Sequence, residues 1–349
     1  MKPFSLLVKP VGAACNLACD YCFYIDKASL YPNGPAVMPL EVMERMVSSY
    51  LALPFDLHSI TFQGGEPLLA GIEFFKAVSN AVKRHSRPKA KVNLSIQTNA
   101  TLMTDDLAAC LAAGKWLVGA SLDGPRELNR LRGDSFDAAV RGIRLLEKHA
   151  VDYNLLTVVS KANIAHPAEV YRFLRDNFST RFHQYIECTG PCDRITGEEW
   201  GNFLIGLFDE WIKRDANTIS VRLFDSVVSQ TLFGRPTQCS FGRSCRQYLV
   251  IEHDGSVYPC DFHVRDDLKL GNIATDSFES LINSPTYRRF SEAKVANLPK
   301  KCQDCRHLEF CNGDCPRNRL SLCAGWIKFF DHALPSLREL AFEAAFRRT

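Results

Sequence analysis

No stretch of about 20 consecutive apolar residues occurs in this 349-residue sequence, so a membrane-spanning helix is excluded and no membrane partner is expected. Charge of one sign is scarce as well. With 42 Lys+Arg against 39 Asp+Glu the balance is +3, too weak to argue for a phosphate-binding surface, and nucleic acid is not an expected partner. The segment Met1 to Pro10 has only a short apolar run broken by Lys9 and Pro10, which is not the hydrophobic region of a secretory signal, so a cytoplasmic protein is expected. Internal repeats and low-complexity tracts are also missing, and nothing demands a dimer, so a monomer is expected. At 46% hydrophobic and 23% charged the composition excludes disorder and collagen. The excess lies in cysteine, of which there are 14. Disulfides are rare in the cytoplasm and a chain of this length buries a core without staples, which favours thiolates held by metal.

Residues 1–217 alternate short β-branched or apolar runs with helical periods. Strands are expected at Ser5–Lys9, Ser59–Phe62, Val92–Thr98, Trp116–Leu122, Tyr153–Val159 and Arg181–Glu187. Leu40, Met43, Val47 and Leu51 share one helical face, and Phe136, Val140, Ile143 and Leu146 share another; further helices are expected at 72–85, 105–113, 168–177 and 198–214. Six βα units in a row predict a parallel α/β sheet or barrel, with its site at the carboxyl ends of the strands. From about Thr218 the rhythm stops, cysteines cluster, and a second domain organised by ligands is expected over 218–349.

Cys15, Cys19 and Cys22 follow the first strand as C-x3-C-x2-C. Three thiolates on a loop can hold three corners of a cubane iron–sulfur cluster and leave the fourth iron open to substrate or cofactor. The alternative is zinc completed by a distant residue, because no further cysteine occurs before Cys110 and the nearest histidine is His58. In the C-terminal part Cys239, Cys245, Cys260, Cys302, Cys305, Cys311, Cys315 and Cys323 supply eight thiolates. That is enough for two four-ligand sites, either iron–sulfur clusters or structural zinc of the ribbon kind.

The triplet with Tyr21 before Cys22 resembles the signature of the radical S-adenosylmethionine (SAM) enzymes, a family built on a partial (β/α)6 barrel. The resemblance implies that the open iron chelates the amino and carboxylate groups of SAM and that Tyr21 lies against the adenine. Gln63-Gly64-Gly65-Glu66-Pro67 after the second strand resembles the family's GGEP segment. Gly64 and Gly65 would admit a close approach to the ligand, and Glu66 would accept from its ammonium group. Gln97-Thr98-Asn99 and Ser121-Leu122-Asp123-Gly124 end strands three and four. Ser121 could reach the methionyl or ribose part, whereas Asp123 is at least as well explained as a turn or N-cap residue.

The eight later cysteines resemble the SPASM extension of that family, which carries two auxiliary 4Fe–4S clusters. By that resemblance Cys239, Cys245, Cys260 and Cys315 hold an inner cluster, and Cys302, Cys305, Cys311 and Cys323 an outer one. Three 4Fe–4S clusters and SAM are thus the implied cofactors. Across nearly the whole chain the sequence is similar to the anaerobic sulfatase-maturating enzymes, through Ser121–Leu128, Gln184-Tyr185-Ile186, Val257-Tyr258-Pro259-Cys260-Asp261 and Leu270-Gly271-Asn272-Ile273. These enzymes oxidise a cysteine or serine of a nascent sulfatase to Cα-formylglycine. The likeness implies that a 5′-deoxyadenosyl radical takes a Cβ hydrogen and that the auxiliary clusters take a second electron. It further implies Asp261 as general base, Tyr24 and Gln63 in the substrate pocket, Arg132 at the cofactor, a peptide or unfolded sulfatase as substrate, and an external low-potential donor such as flavodoxin or ferredoxin. On the residues alone, Asp261 could be a turn carboxylate, Tyr24 core packing, Gln63 a turn and Arg132 a solvated charge. An alternative product for the same domains is a thioether or carbon–carbon crosslink in a ribosomal peptide. The chain departs from the family at Leu128-Asn129-Arg130-Leu131-Arg132, which is one residue shorter and lacks a histidine, and at Ile186-Glu187-Cys188-Thr189. Cys110 reads as a small core hydrophobe, and Cys188 and Cys192, after the sixth strand, have no assigned role.

Overall fold

Alternation along Leu57–Phe62 buries His58, Ile60 and Phe62 completely while Leu57 stays exposed, the period-two pattern of a strand with one face in the core. The computed structural model describes residues 2–31, 36–188 and 194–346. In it the six expected strands are β1 (Ser5–Lys9), β2 (Leu57–Phe62), β3 (Lys91–Thr98), β4 (Leu117–Ser121), β5 (Tyr153–Val159) and β6 (Phe182–Glu187). Helices lie between and after them at Leu40–Leu51, Ile72–His85, Asp105–Ala113, Phe136–Lys148, Pro167–Asn177 and Gly197–Ile212. This is the α/β fold with parallel strands that the periodicity implies. β2 starts two residues before the expected Ser59, because its pairing with β3 begins at Leu57↔Lys91 and no local pattern reports a partner. Gly197–Ile212 starts where Thr196 caps it: Thr196 Oγ1 accepts from Glu199 N, and the Glu199 carboxylate accepts from Thr196 N.

Beyond residue 218 come four short strands, β7 (Ser220–Val221), β8 (Tyr248–Glu252), β9 (Ser256–Tyr258) and β10 (Gly271–Asn272). By compactness the chain separates into two units, the first made of Met1–Ser121, Asp134–Tyr153 and Cys245–Glu292 and the second of Leu122–Gly133, Asn154–Ser244 and Ala293–Thr349. Each unit therefore draws residues from both sides of position 217.

In the first unit β1 to β4 are parallel neighbours, and β8 pairs in parallel with the free side of β1, in register from Ser5↔Tyr248 to Lys9↔Glu252. β9 and β10 continue antiparallel. Leu6, Val8, Ile60, Phe62 and Ile96 from the strands are buried, as are Met46, Val47, Phe75 and Val78 from the covering helices, each such side chain contributing about 1.5–3 kcal/mol. Lys9, Gln63, Asn99 and Ser121 stand at or just beyond the carboxyl ends of β1 to β4.

The second unit holds β6 in parallel with β5 and β7. The long helix Cys323–Phe346 packs on Gly197–Ile212 and on Arg222–Phe233. Trp326 meets Trp200 edge-on at 5.7 Å between ring centroids, and Phe329 stacks on Phe224 at 5.8 Å. His183 in β6 is buried among Tyr171 and Tyr185, and its Nε2 has no hydrogen-bond partner. Burial lowers its pKa to about 4, against an ordinary value near 6.5. Its depressed folded value means that its stabilising contribution is complete above pH 6.5 and is lost as pH falls toward 4, by up to about 3 kcal/mol. The urea midpoint of wild type should therefore drop between pH 7 and pH 4.5 more than that of His183→Gln; equal drops would show that burial does not lower the imidazole's pKa. Among the described residues no helix is long and apolar enough to cross a membrane.

Candidate functional site

After β1 the chain turns through Val11–Ala14 into the loop bearing Cys15, Cys19 and Cys22, and that turn is strapped to the segment following β2. Gln63 N donates to Val8 O at 2.8 Å, Gly65 N to Gly12 O at 2.9 Å and Glu66 N to Ala14 O at 2.7 Å. A Cβ at Gly65 would lie 1.8 Å from Ala14 O, and one at Gly64, whose φ is +141°, 2.7 Å from Gly12 O. The close approach that these glycines permit is thus to the backbone leading into the cysteine loop. Cys15 is exposed, with Cys19 and Cys22 half-buried, and Tyr21 between them is buried. Leu17 N and Asn99 Nδ2 point at Cys15 Sγ from 3.4 and 3.8 Å, and Cys22 N donates to Cys19 O at 3.0 Å. Glu66 is completely buried, its Oε1 accepting from Leu68 N at 2.9 Å and Thr98 Oγ1 at 2.7 Å, and its Oε2 from Asn99 N at 2.8 Å. The carboxylate thereby ties the end of β2 to the end of β3. Ser121, the last residue of β4, is buried.

Asp261 lies in the same unit and is 7% exposed. Its Oδ2 accepts from Gln63 Nε2 at 3.0 Å and faces Lys9 Nζ at 3.8 Å, while its Oδ1 accepts from Tyr248 Oη at 3.0 Å and from Phe262 N at 3.1 Å. Lys9 is 1% exposed, and its ammonium stands 4.3 Å from the centroid of the Tyr24 ring. The Tyr24 hydroxyl in turn donates to Glu252 Oε1 through a very short hydrogen bond. Burial lowers the Lys9 pKa, opposed by the charges of Asp261 and Glu252, and burial together with the Glu252 charge raises that of Tyr24. Gln63, Tyr24 and Asp261, singled out in the sequence, are thus gathered around a lysine that was not. The available signal was a charged residue closing the otherwise apolar run Leu6-Leu7-Val8, since lysine is almost never fully buried without a partner. Glu252 and Tyr248 left no comparable mark; the β1–β8 register brings them here.

Cys260 Sγ is 3.3 Å from Tyr248 Oη and 3.7 Å from Asp261 Oδ1, and Cys245 N donates to Ser291 O at 3.2 Å. Cys245 and Cys260 belong to the first unit, Cys239 and Cys315 to the second. Also in the second unit, Cys302, Cys305, Cys311 and Cys323 line one cavity with Leu308, Trp326 and Phe330. Cys315 does not line it. Burial pushes the Cys311 thiol up to about 12, so without a cation in the cavity it stays protonated. Asp123 accepts from Val158 N at 2.9 Å and pairs with buried Arg132 at 3.8 Å, while its own N–H donates to Asn129 Oδ1 at 3.0 Å. Through these contacts Asp123 orders the turn after β4 and holds Arg132. Glu187, at the end of β6, accepts from Asn318 Nδ2 at 3.2 Å, and burial raises its pKa and that of Asp314. Cys110 is half-buried in its helix and Cys188 is buried; Cys192 lies outside the described residues.

Residues 10–174 match the family model of the radical SAM superfamily, and residues 239–306 match that of an iron–sulfur cluster-binding domain, SPASM. The chain is 34% identical to the serine-type anaerobic sulfatase-maturating enzyme of Bacteroides thetaiotaomicron, over 96% of its own length and 90% of that enzyme. To the cysteine-type enzyme of Clostridium perfringens it is also 34% identical, over 98% and 99%. A solved structure of native anSMEcpe with bound AdoMet and the Cp18Cys peptide superposes with a TM-score of 0.90 at 33% identity, covering 98% of this chain and all of that one.

Proposed function

We propose that this chain, which belongs to the anaerobic sulfatase-maturating enzymes of the radical SAM superfamily, oxidises a cysteine or serine side chain of a sulfatase-type peptide to Cα-formylglycine. What carries the reading is the buried Asp261 carboxylate, fixed by Gln63 and Tyr248 beside Tyr24, in a chain similar over nearly its full length to both the serine-type and the cysteine-type enzymes.

The residues present fit the implied groups. In the cysteine loop, N–H donors already face Cys15 Sγ, as a thiolate bound to iron requires, and the two glycines leave the loop room to form. Cys15, Cys19 and Cys22 would hold the cluster that binds SAM, with Tyr21, Gly64, Gly65, Glu66, Ser121 and Arg132 around the cofactor. The four thiols of one cavity, Cys302, Cys305, Cys311 and Cys323, would hold the outer auxiliary cluster, and Cys239, Cys245, Cys260 and Cys315 the inner one, three 4Fe–4S clusters in all, with residues 1–217 read as the radical SAM domain and 218–349 as the SPASM domain. When bound, SAM and the clusters supply the one-electron chemistry no side chain performs: removal of a hydrogen atom from the substrate Cβ and then of one electron. Asp261 accepts the proton from the substrate sulfur or oxygen as the carbon–heteroatom double bond forms. Tyr24 walls the pocket, and Gln63 fixes the carboxylate that receives the proton. For serine the product is the aldehyde directly; for cysteine, water converts the thioaldehyde to the aldehyde and releases hydrogen sulfide. A flavodoxin or ferredoxin type donor in the cytoplasm and a monomeric enzyme complete the reading.

The test is to incubate the reconstituted, reduced protein with SAM and a peptide carrying Cys/Ser-x-Pro/Ala-x-Arg and to read product masses. Formylglycine from the cysteine peptide appears as loss of sulfur and two hydrogens with gain of one oxygen, and from the serine peptide as loss of two hydrogens together with an aldehyde that a hydrazine probe captures. An unchanged peptide alongside 5′-deoxyadenosine would defeat sulfatase maturation, and, for the cysteine peptide, loss of two hydrogens with sulfur retained and no aldehyde would point to a crosslink. Gly65→Ala drives a methyl group into the Ala14 carbonyl, so reconstituted iron should fall by about four atoms per chain; undiminished iron would show that the strap can shift without losing the cluster.

A further inference from the structure

We propose that Lys9 is the positioning residue of the general base: its buried ammonium holds the Asp261 carboxylate in the orientation that receives the substrate proton. The inference rests on reading Asp261 as that base. Tyr248 Oη, Phe262 N and the Cys260 thiol lie at Oδ1 of the carboxylate, and Gln63 and Lys9 face Oδ2. Lys9 is the one basic side chain among them, at 1% exposure, where water screens little of a charge's field.

Its own placement is fixed from three sides. It closes β1, whose register with β8 sets it opposite Glu252. Its alkyl stem lies under the strap, since a Cβ at Gly64 would come within 3.2 Å of Lys9 Cδ. Its ammonium rests over the Tyr24 ring, whose hydroxyl is anchored on Glu252. One cation thus serves the base and the pocket wall together, so that Asp261 and Tyr24 keep a fixed spacing. The hydrogen bonds and the ion pair of this arrangement run among Lys9, Asp261, Gln63, Tyr24 and Glu252, with Cys22 packed against the apolar cluster that contains Tyr24, so its loss should impair the step that follows SAM cleavage more than SAM cleavage itself.

The experiment compares wild type with Lys9→Met, which keeps the length of the stem and removes the charge, in the full reconstituted chain with SAM, a chemical reductant and the cysteine peptide. The formylglycine formed per 5′-deoxyadenosine should fall roughly ten-fold to a hundred-fold, the cost of a misplaced catalytic group. In the Asp261→Asn background, Lys9→Met should lower that ratio no further, because both changes act on one carboxylate. A purely structural lysine would lower both products together and leave the ratio alone. An unchanged ratio, or an additional loss in the Asp261→Asn background, overturns the proposal. Should Lys9→Met fail to fold, Lys9→Gln, with an uncharged polar end of similar reach, reads the same ratio. Wild type that cleaves SAM but yields no formylglycine defeats the parent reading, which is a different outcome from a Lys9 variant that keeps the wild-type ratio.

Discussion

Replacing Cys15, Cys19 and Cys22 together by alanine is expected to abolish 5′-deoxyadenosine formation, and with it every product, while the protein stays folded. The sulfurs stand on a loop, one exposed and two half-buried, so their removal takes little apolar area from the core. The loop's course is set by backbone bonds from Gln63, Gly65 and Glu66, none of which involves a thiol. Reconstituted iron should drop from about twelve to about eight atoms per chain at about four per cluster. Retained SAM cleavage in the triple variant would rule out the triplet as the cofactor's site. A drop of all the iron would instead show that the loop cluster is needed before the C-terminal cysteines can load.

Asp261→Asn is expected to have the second largest effect, and a more selective one. The amide matches the carboxylate in shape and can still accept from Tyr248 and from Phe262 N through Oδ1. It has no site for the substrate proton, and its NH2 group would face Lys9 and the Gln63 amide. Formylglycine should fall about 10²-fold or more, as for loss of a general base, while 5′-deoxyadenosine continues to form. Removing one partner of a buried ion pair should also lower the melting temperature, with Glu252 remaining as a counter-charge to Lys9. If product per 5′-deoxyadenosine is unchanged in this variant, Asp261 is not the base. If both products vanish together, the substitution has disturbed SAM binding instead.

The strands show which parts of this protein local patterns carry. β1 and β5 start and end where alternation and apolar runs place them, and the helices at 72–85 and 105–113 match their periodicity. β8 reads as ordinary texture within the cysteine-rich half, yet it supplies the partner of β1. A parallel pairing between strands as far apart in the chain as Ser5 and Tyr248 has no sequence period, so no window of residues reports it. The same limit explains the site. Gly64 and Gly65 stand out in the sequence, but only packing shows that they admit the backbone entering the cysteine loop. The Asp123 carboxylate meets Val158 N and Arg132, contacts that no local pattern reports.

By itself the sequence determined the chemistry that thiols can support, because ligand type and spacing along one loop are local properties: three cysteines within eight residues, and eight more in the C-terminal part. It also determined the βα alternation, whose periods of 2 and 3.6 are properties of short segments. The tertiary structure alone decided which groups surround Asp261. Lys9 and Tyr248 reach it, and Glu252 comes to stand opposite Lys9, through the β1–β8 register, and burial then gives each charge its strength by removing water. A lysine that in the sequence only interrupts an apolar run becomes, in the fold, the cation beside the base.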